Sequence, residues 1–341
     1  LQGLVGLSVA AGWVAVHDLV FSDKSALLGK HHAAFQKSDD PDKPLAILAL
    51  GSSRTLGGLD AQRLGRVLSA EDRPAVAFNF GIPAAGPITN NLYLRRLVRA
   101  GIHPDFVLIE VLPPFLAGQL STPMESRWLA PHRLRDEEFA LLDGWGFSMP
   151  RESVTLWSRW LAGSHLYRYA LLSRNLSSWI PYEQLCDVRE CTDSHGWAKT
   201  PFDSVTPEEH ERGLKTAWKQ YRYALGGFRL GGPACAALED LLAFCRSEQI
   251  PAALVFMPES SAFLSWYTPE ALQEVNAFMT ELCDSYEVGL IDARTWIPDD
   301  RFADGHHLLP AGAERFTERL AEELRGLPNY PHPRRRGGAL P

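Results

Sequence analysis

Five short apolar runs punctuate the chain: Leu45 to Leu50, Val76 to Phe80, Phe106 to Val111, Ala252 to Met257 and Val288 to Ala293. Each is nearly continuous rather than alternating, the pattern of a strand covered on both faces, as in a parallel sheet. Between them the period lengthens. Asn91 to Ala100, Leu238-Leu241-Leu242-Cys245 and Leu272-Val275-Met279-Leu282 carry apolar residues at helical spacing, which predicts helices with one buried stripe. Thr268-Pro269 introduces the last of them as a cap followed by a first-turn proline. Strands alternating with helices imply an α/β fold built on a doubly wound parallel sheet, whose functional groups gather at the carboxyl ends of the strands.

From about Leu116 to Gly232 this pattern lapses. No clear buried strand is found there, yet the stretch holds Trp128, Trp145, Trp157, Trp160, Trp179, Trp197 and Trp218, seven of the ten tryptophans. It reads as a helical insertion or cap over the sheet's active rim. Its indoles could stack on sugar rings, or simply anchor a small core. Gly226-Gly227 and Gly231-Gly232-Pro233 read as a hinge back into the main domain. The organisation expected is a possible membrane anchor over 1–21, an α/β domain in two parts over 22–115 and 233–326, an insertion over 116–232, and a disordered tail over 327–341.

The strand ends carry the candidate chemistry. Gly51-Ser52-Ser53-Arg54 follows the first run, Asn79-Phe80-Gly81 closes the second, Glu110 ends the third, and Pro258-Glu259-Ser260-Ser261 follows the fourth. Far downstream, Asp304-Gly305-His306-His307 offers an acid and a base. A serine hydroxyl becomes a useful nucleophile when an imidazole takes its proton and a carboxylate fixes the imidazole's tautomer. Each piece also has a plainer meaning. Gly-Ser-Ser can be a strand-to-helix turn with serine capping a helix Leu59 to Leu68, and the histidine pair can be a surface loop or a two-imidazole metal site.

In this order the motifs resemble the SGNH (GDSL-type) hydrolase superfamily, whose nucleophile sits third in a Gly-Asp-Ser or Gly-Ser-Ser turn and whose Asp-x-x-His lies near the C-terminus. The run Leu308-Leu309-Pro310-Ala311-Gly312-Ala313-Glu314-Arg315-Phe316 is similar to the family's Pro-started helix after the histidine. The resemblance implies a three-layer, flavodoxin-like fold with Ser53 as nucleophile, His307 as base, Asp304 as its partner, and the Ser53 and Gly81 N–H groups facing the oxyanion. His306 is the alternative base. Ser52, Arg54, Asn79, Glu110, Glu259 and His306 are candidate substrate contacts, and neither a metal nor a cofactor is implied. One element departs: the family's Gly-x-Asn-Asp after the third strand is replaced by Leu112-Pro113-Pro114-Phe115, so an oxyanion donor is missing, a loss that costs about 10²–10³ in rate in a serine protease. The chain looks closest to the bacterial branch that acylates envelope polymers. The implied function is a serine esterase or O-acyltransferase acting on an acylated small molecule or polysaccharide, the alternative being a non-catalytic assembly or binding protein on the same fold.

Composition narrows the partners. A 341-residue chain that is 45% hydrophobic can bury a large core, and a net charge of −7 gives no electrostatic footprint for nucleic acid. The one basic cluster, Arg334-Arg335-Arg336, lies in a Pro/Gly-rich tail. Leu1 to Val16 is free of charge and apolar, slightly short of the roughly 20 residues of a bilayer span; residues preceding Leu1 would complete a signal anchor, a buried helix being the other reading. An anchor places the rest of the chain outside the cytoplasm, in the periplasm or cell envelope. Cys186 and Cys191 are close enough for a local disulfide in such a compartment, while Cys235, Cys245 and Cys283 fall on apolar faces.

Overall fold

The computed structural model describes residues 21–331 apart from 22, 39, 41, 70–73, 130, 132, 133 and 151–190. The apolar runs form β1 (Leu45–Gly51), β2 (Ala75–Gly81), β3 (Phe106–Val111), β4 (Ala252–Phe256) and β5 (Gly289–Asp292). They pair in parallel as one five-stranded sheet in the order β2-β1-β3-β4-β5, the flavodoxin-like arrangement. Alternate residues of each strand feed opposite cores. Ala46, Leu48 and Leu50 enter one cluster and Leu45, Ile47 and Ala49 the other, which is why the run is apolar throughout.

The described helices are α1 (Ser53–Gly58), α2 (Ala61–Leu68), α3 (Pro87–Arg99), α4 (Asp136–Gly144), α5 (Pro207–Leu225), α6 (Pro233–Ser247), α7 (Ser261–Leu264), α8 (Pro269–Tyr286) and α9 (Pro310–Gly326), with further helical residues at 23–29. Buried side chains of α3, α6 and α8 cover one face of the sheet, and those of α2 and α9 the other. The helix expected over Leu59 to Leu68 is α2, and the serine of the turn caps a separate short helix, α1, before it. Ser52 caps α1 through the Arg54 N–H, and Asp60 caps α2 through the Arg63 N–H. Likewise α3 starts at Pro87, four residues before the apolar period suggests, because Thr89 and Asn90 are polar yet buried.

Between β3 and α6 lie α4 and α5. Ala217, Tyr221 and Leu225 of α5 pack on Leu112, Phe115, Phe263 and Tyr267, at the carboxyl ends of β3 and β4. Trp145 and Trp197 are buried anchors, the Trp197 indole donating to Gly57 O at 2.8 Å, whereas Trp218 is 42% exposed and meets Trp266 edge-on. Trp157, Trp160, Trp179 and Cys186 lie outside the described residues, as does the side chain of Trp128, so the Cys186–Cys191 pair and residues 151–190 of the tryptophan-rich stretch do too. Residues 329 and 330, expected in the tail, are packed on the domain: Tyr330 is buried edge-on against Phe106 of β3, and the Asn329 amide donates to Ala252 O.

Candidate active site

At the carboxyl end of β1 the chain turns directly into α1, with Ser53 as its first residue. Glu110, at the end of neighbouring β3, fastens this turn. Its carboxylate accepts from the Ser52 N–H (2.7 Å), the Ser52 hydroxyl (2.8 Å), the Thr55 N–H (3.2 Å) and the Thr55 hydroxyl. Gly51 is required here, because a Cβ would collide with Thr55 Oγ1 and the Glu110 carboxylate. Ser52 is thus committed beneath the turn, and Ser53 is left partly exposed above it.

The Ser53 hydroxyl lies 2.8 Å from His307 Nε2, and His307 Nδ1 lies 2.7 Å from Asp304 Oδ2. Residues 254 positions apart are therefore in series, the arrangement that polarises a serine hydroxyl. Asp304 Oδ1 accepts the backbone N–H groups of His307 (2.9 Å) and His306 (3.2 Å), so the loop is closed on its own carboxylate. Burial would raise the Asp304 carboxyl, but His307, His306 and the hydrogen bonds hold it far below the usual carboxylate range. Burial likewise works against charge on His307, yet Asp304 outweighs it and lifts the imidazole above its ordinary value. His306 differs: burial, then the neighbouring His307, push it down to about 3. It packs among Phe263, Tyr221 and His307 and stays neutral.

The six residues expected as substrate contacts are buried supports instead. Ser52, Arg54, Asn79, Glu110, Glu259 and His306 are each at most 6% exposed. Arg54 turns inward, pairing with Glu259 at 3.1 Å, donating to Met257 O and Pro258 O, and standing 3.9 Å from Glu110. Tyr267 completes the group by donating to Glu259 at 3.0 Å. Burial pushes the Glu259 carboxyl up, against the pull of Arg54. A buried guanidinium between two carboxylates is tolerated because its terminal nitrogens Nη1 and Nη2 find oxygens, while Nε stands beside Glu110 without a hydrogen bond.

The loop after β2 corrects a second expectation. The Gly81 N–H does not face the nucleophile's cleft but donates to Asn79 Oδ1 at 2.9 Å. Ile82 N–H goes to Gly51 O, Ala85 N–H to Ile82 O, and Gly86 N–H to Glu125. Pro83 has no N–H. The N–H left over belongs to Ala84, which adopts φ +57°, a conformation that normally calls for glycine. Glu125, fully buried, accepts the N–H groups of Gly86, Ile88 and Thr89 and the Thr89 hydroxyl, fixing the loop to the start of α3. Sequence reasoning missed Glu125 and Ala84, since neither sits in a recognisable spacing.

Among the described residues one set of metal-capable groups lies close enough to share an ion, Asp304, His306 and His307. Both oxygens of Asp304 are already spent on the loop's own donors.

Sheet order, the Gly51-Ser52-Ser53 turn and the distal Asp304–His307 pair together define an α/β protein with a parallel five-stranded sheet and a Ser-His-Asp series at its carboxyl edge. The chain belongs to the family described as "Protein of unknown function (DUF1574)", whose model matches residues 10–324. No curated protein matches it. Among solved structures it is similar to an aryl esterase from M. smegmatis in an inhibitor-bound form, at 13% identity over 82% of this chain and 98% of that one, with a TM-score of 0.34. It is also similar to a carbohydrate acetylesterase family member from Sinorhizobium meliloti (13%, 82% and 97%, 0.32) and to a carbohydrate acetylesterase from the same organism (12%, 82% and 98%, 0.33).

Proposed function

We propose that the protein is a serine esterase or O-acyltransferase whose substrate is an acylated saccharide of the cell envelope. The observation that carries this reading is the unbroken series Ser53, His307, Asp304 at the carboxyl edge of the sheet. In the first step Ser53 Oγ attacks the acyl carbonyl carbon while His307 Nε2 takes its proton. Asp304 holds Nδ1–H and steadies the imidazolium. The tetrahedral intermediate collapses as His307 returns the proton to the departing alkoxide, leaving an acyl-Ser53. Water or an acceptor hydroxyl, deprotonated by the same imidazole, then releases the acyl group.

The oxyanion would meet the N–H groups of Ser53 and Ala84. Ile82 N–H to Gly51 O, 2.8 Å, sets the Ile82-Pro83-Ala84-Ala85 turn beside the nucleophile, and neither N–H has an acceptor among the described residues. With the asparagine donor absent, this hole is smaller than that of a general esterase, which favours transfer to a positioned acceptor over rapid hydrolysis of simple esters. The apolar start of the chain would tether it to a membrane with the site outside the cytoplasm; among the described residues no helix is long and apolar enough to cross one.

The test is labelling by a fluorophosphonate probe. Ser53→Ala and His307→Ala should abolish labelling, whereas Ser52→Ala, which removes a cap worth about 1 kcal/mol, should retain much of it. Labelling of the parent that survives Ser53→Ala, or no labelling at all, moves the reading to a non-catalytic binding protein. Turnover of p-nitrophenyl acetate should be weak and should fall behind that of an acylated saccharide.

A further inference from the structure

The helix that carries Ser53 has six residues, too few to persist without outside partners. Glu110 fixes its amino end. Its carboxyl end is fixed by donors from elsewhere in the chain. The Asn79 amide donates to Thr55 O (2.6 Å) and Leu59 O (2.8 Å), the Ala198 N–H to Leu56 O (3.0 Å), and the Trp197 indole to Gly57 O (2.8 Å).

Behind this clamp stands a lysine that the catalytic scheme leaves unused. Lys24, from the helical residues 23–29, is 1% exposed. Its ammonium donates to Asn79 O at 2.6 Å and Gly196 O at 2.5 Å, and lies 3.4 Å from Asn79 Oδ1. Three N–H groups thus meet three oxygens, and they join Asn79 to the 191–198 segment that also holds α1. Burying an ammonium is costly without such partners, and an apolar side chain would fill the space at less expense. The lysine is therefore better explained by what it orients than by packing.

We infer that Lys24 is a positioning residue for Ser53, acting through Asn79 on the carboxyl end of α1, so that docking of the segment before β1 completes the nucleophile's geometry. The inference rests on the reading of Ser53 as an activated nucleophile. It also ties the site to the part of the chain that follows residues 1–20.

The experiment compares the parent with Lys24→Met and Leu28→Ala by the concentration dependence of fluorophosphonate labelling, which separates the maximal rate from the affinity. Leu28 is fully buried in the same segment and belongs to the apolar core instead of the polar clamp. Lys24→Met should lower the maximal labelling rate about 10- to 100-fold, the cost of a small misplacement, at unchanged affinity; Leu28→Ala should keep the parent rate. A parent rate in Lys24→Met, or an equal loss in Leu28→Ala, overturns the inference and leaves the serine reading intact. An unlabelled parent overturns both. Should Lys24→Met fail to fold, Lys24→Gln, which keeps two N–H donors, carries the same comparison: a rate below that of Leu28→Ala supports the role and an equal or higher rate overturns it.

Discussion

At the scale of single residues, adjacent histidines end in opposite states. His306 and His307 are neighbours in sequence and in contact, ring centroids 4.0 Å apart. Yet burial and a like-charged neighbour keep His306 neutral, while the Asp304 carboxylate raises His307. Only His307 reaches the serine, so under the proposed function it is the group whose titration governs Ser53. Its neutral form is the base. Because its value is raised above 6.5, protonation persists to higher pH, and the rate of Ser53 labelling should fall on acidification with a midpoint above 6.5. His306→Gln should leave that midpoint on the same side of 6.5. A midpoint well below it would mean that Asp304 does not hold the imidazole as the distances indicate.

At the scale of elements, the nucleophile turn is held less by its own helix than by carboxylates and amides from the neighbouring strands. Glu110 of β3 and Glu259 after β4 converge on Arg54, one residue past the nucleophile. Removing the cation leaves two buried carboxylates facing each other's field. Arg54→Met should therefore cost about 3–5 kcal/mol in denaturant unfolding, and Glu259→Met added to it should recover part of the loss. Strictly additive losses in the double variant would show that the pair contributes no coupling. This network was hidden in the sequence because the two partners are 205 positions apart, and a charged residue after a strand gives no sign of whether it points to solvent. The strands themselves were legible for the converse reason: burial on both faces leaves its mark on every residue of the run.

At the scale of the whole molecule, α5 of the insertion leans on the loop that carries the acid and base. Gly213 has no room for a side chain, since a Cβ would lie 2.5 Å from that of Asp304 and 3.4 Å from Ala303 O. Tyr221, two turns further along α5, lies edge-on to His306. The insertion is thus part of the site's support. Gly213→Val should displace Asp304 and slow Ser53 labelling about 10- to 100-fold, whereas Gly144→Ala in α4, where a Cβ meets nothing within 4 Å, should label like the parent. Equal labelling of both variants would show that α5 does not constrain the triad loop.

The sequence by itself determined the sheet, most of its flanking helices and the Ser53, Asp304 and His307 set. Continuous apolar runs and short motifs depend only on neighbours a few positions away. Tertiary structure decided the rest. It turned Arg54, Asn79, Glu110 and Glu259 from candidate rim residues into buried supports, spent the Gly81 N–H on Asn79, and left the Ala84 N–H uncommitted. Each of these depends on where a partner remote in the chain arrives, and a donor's availability is fixed only once every competing acceptor is in place.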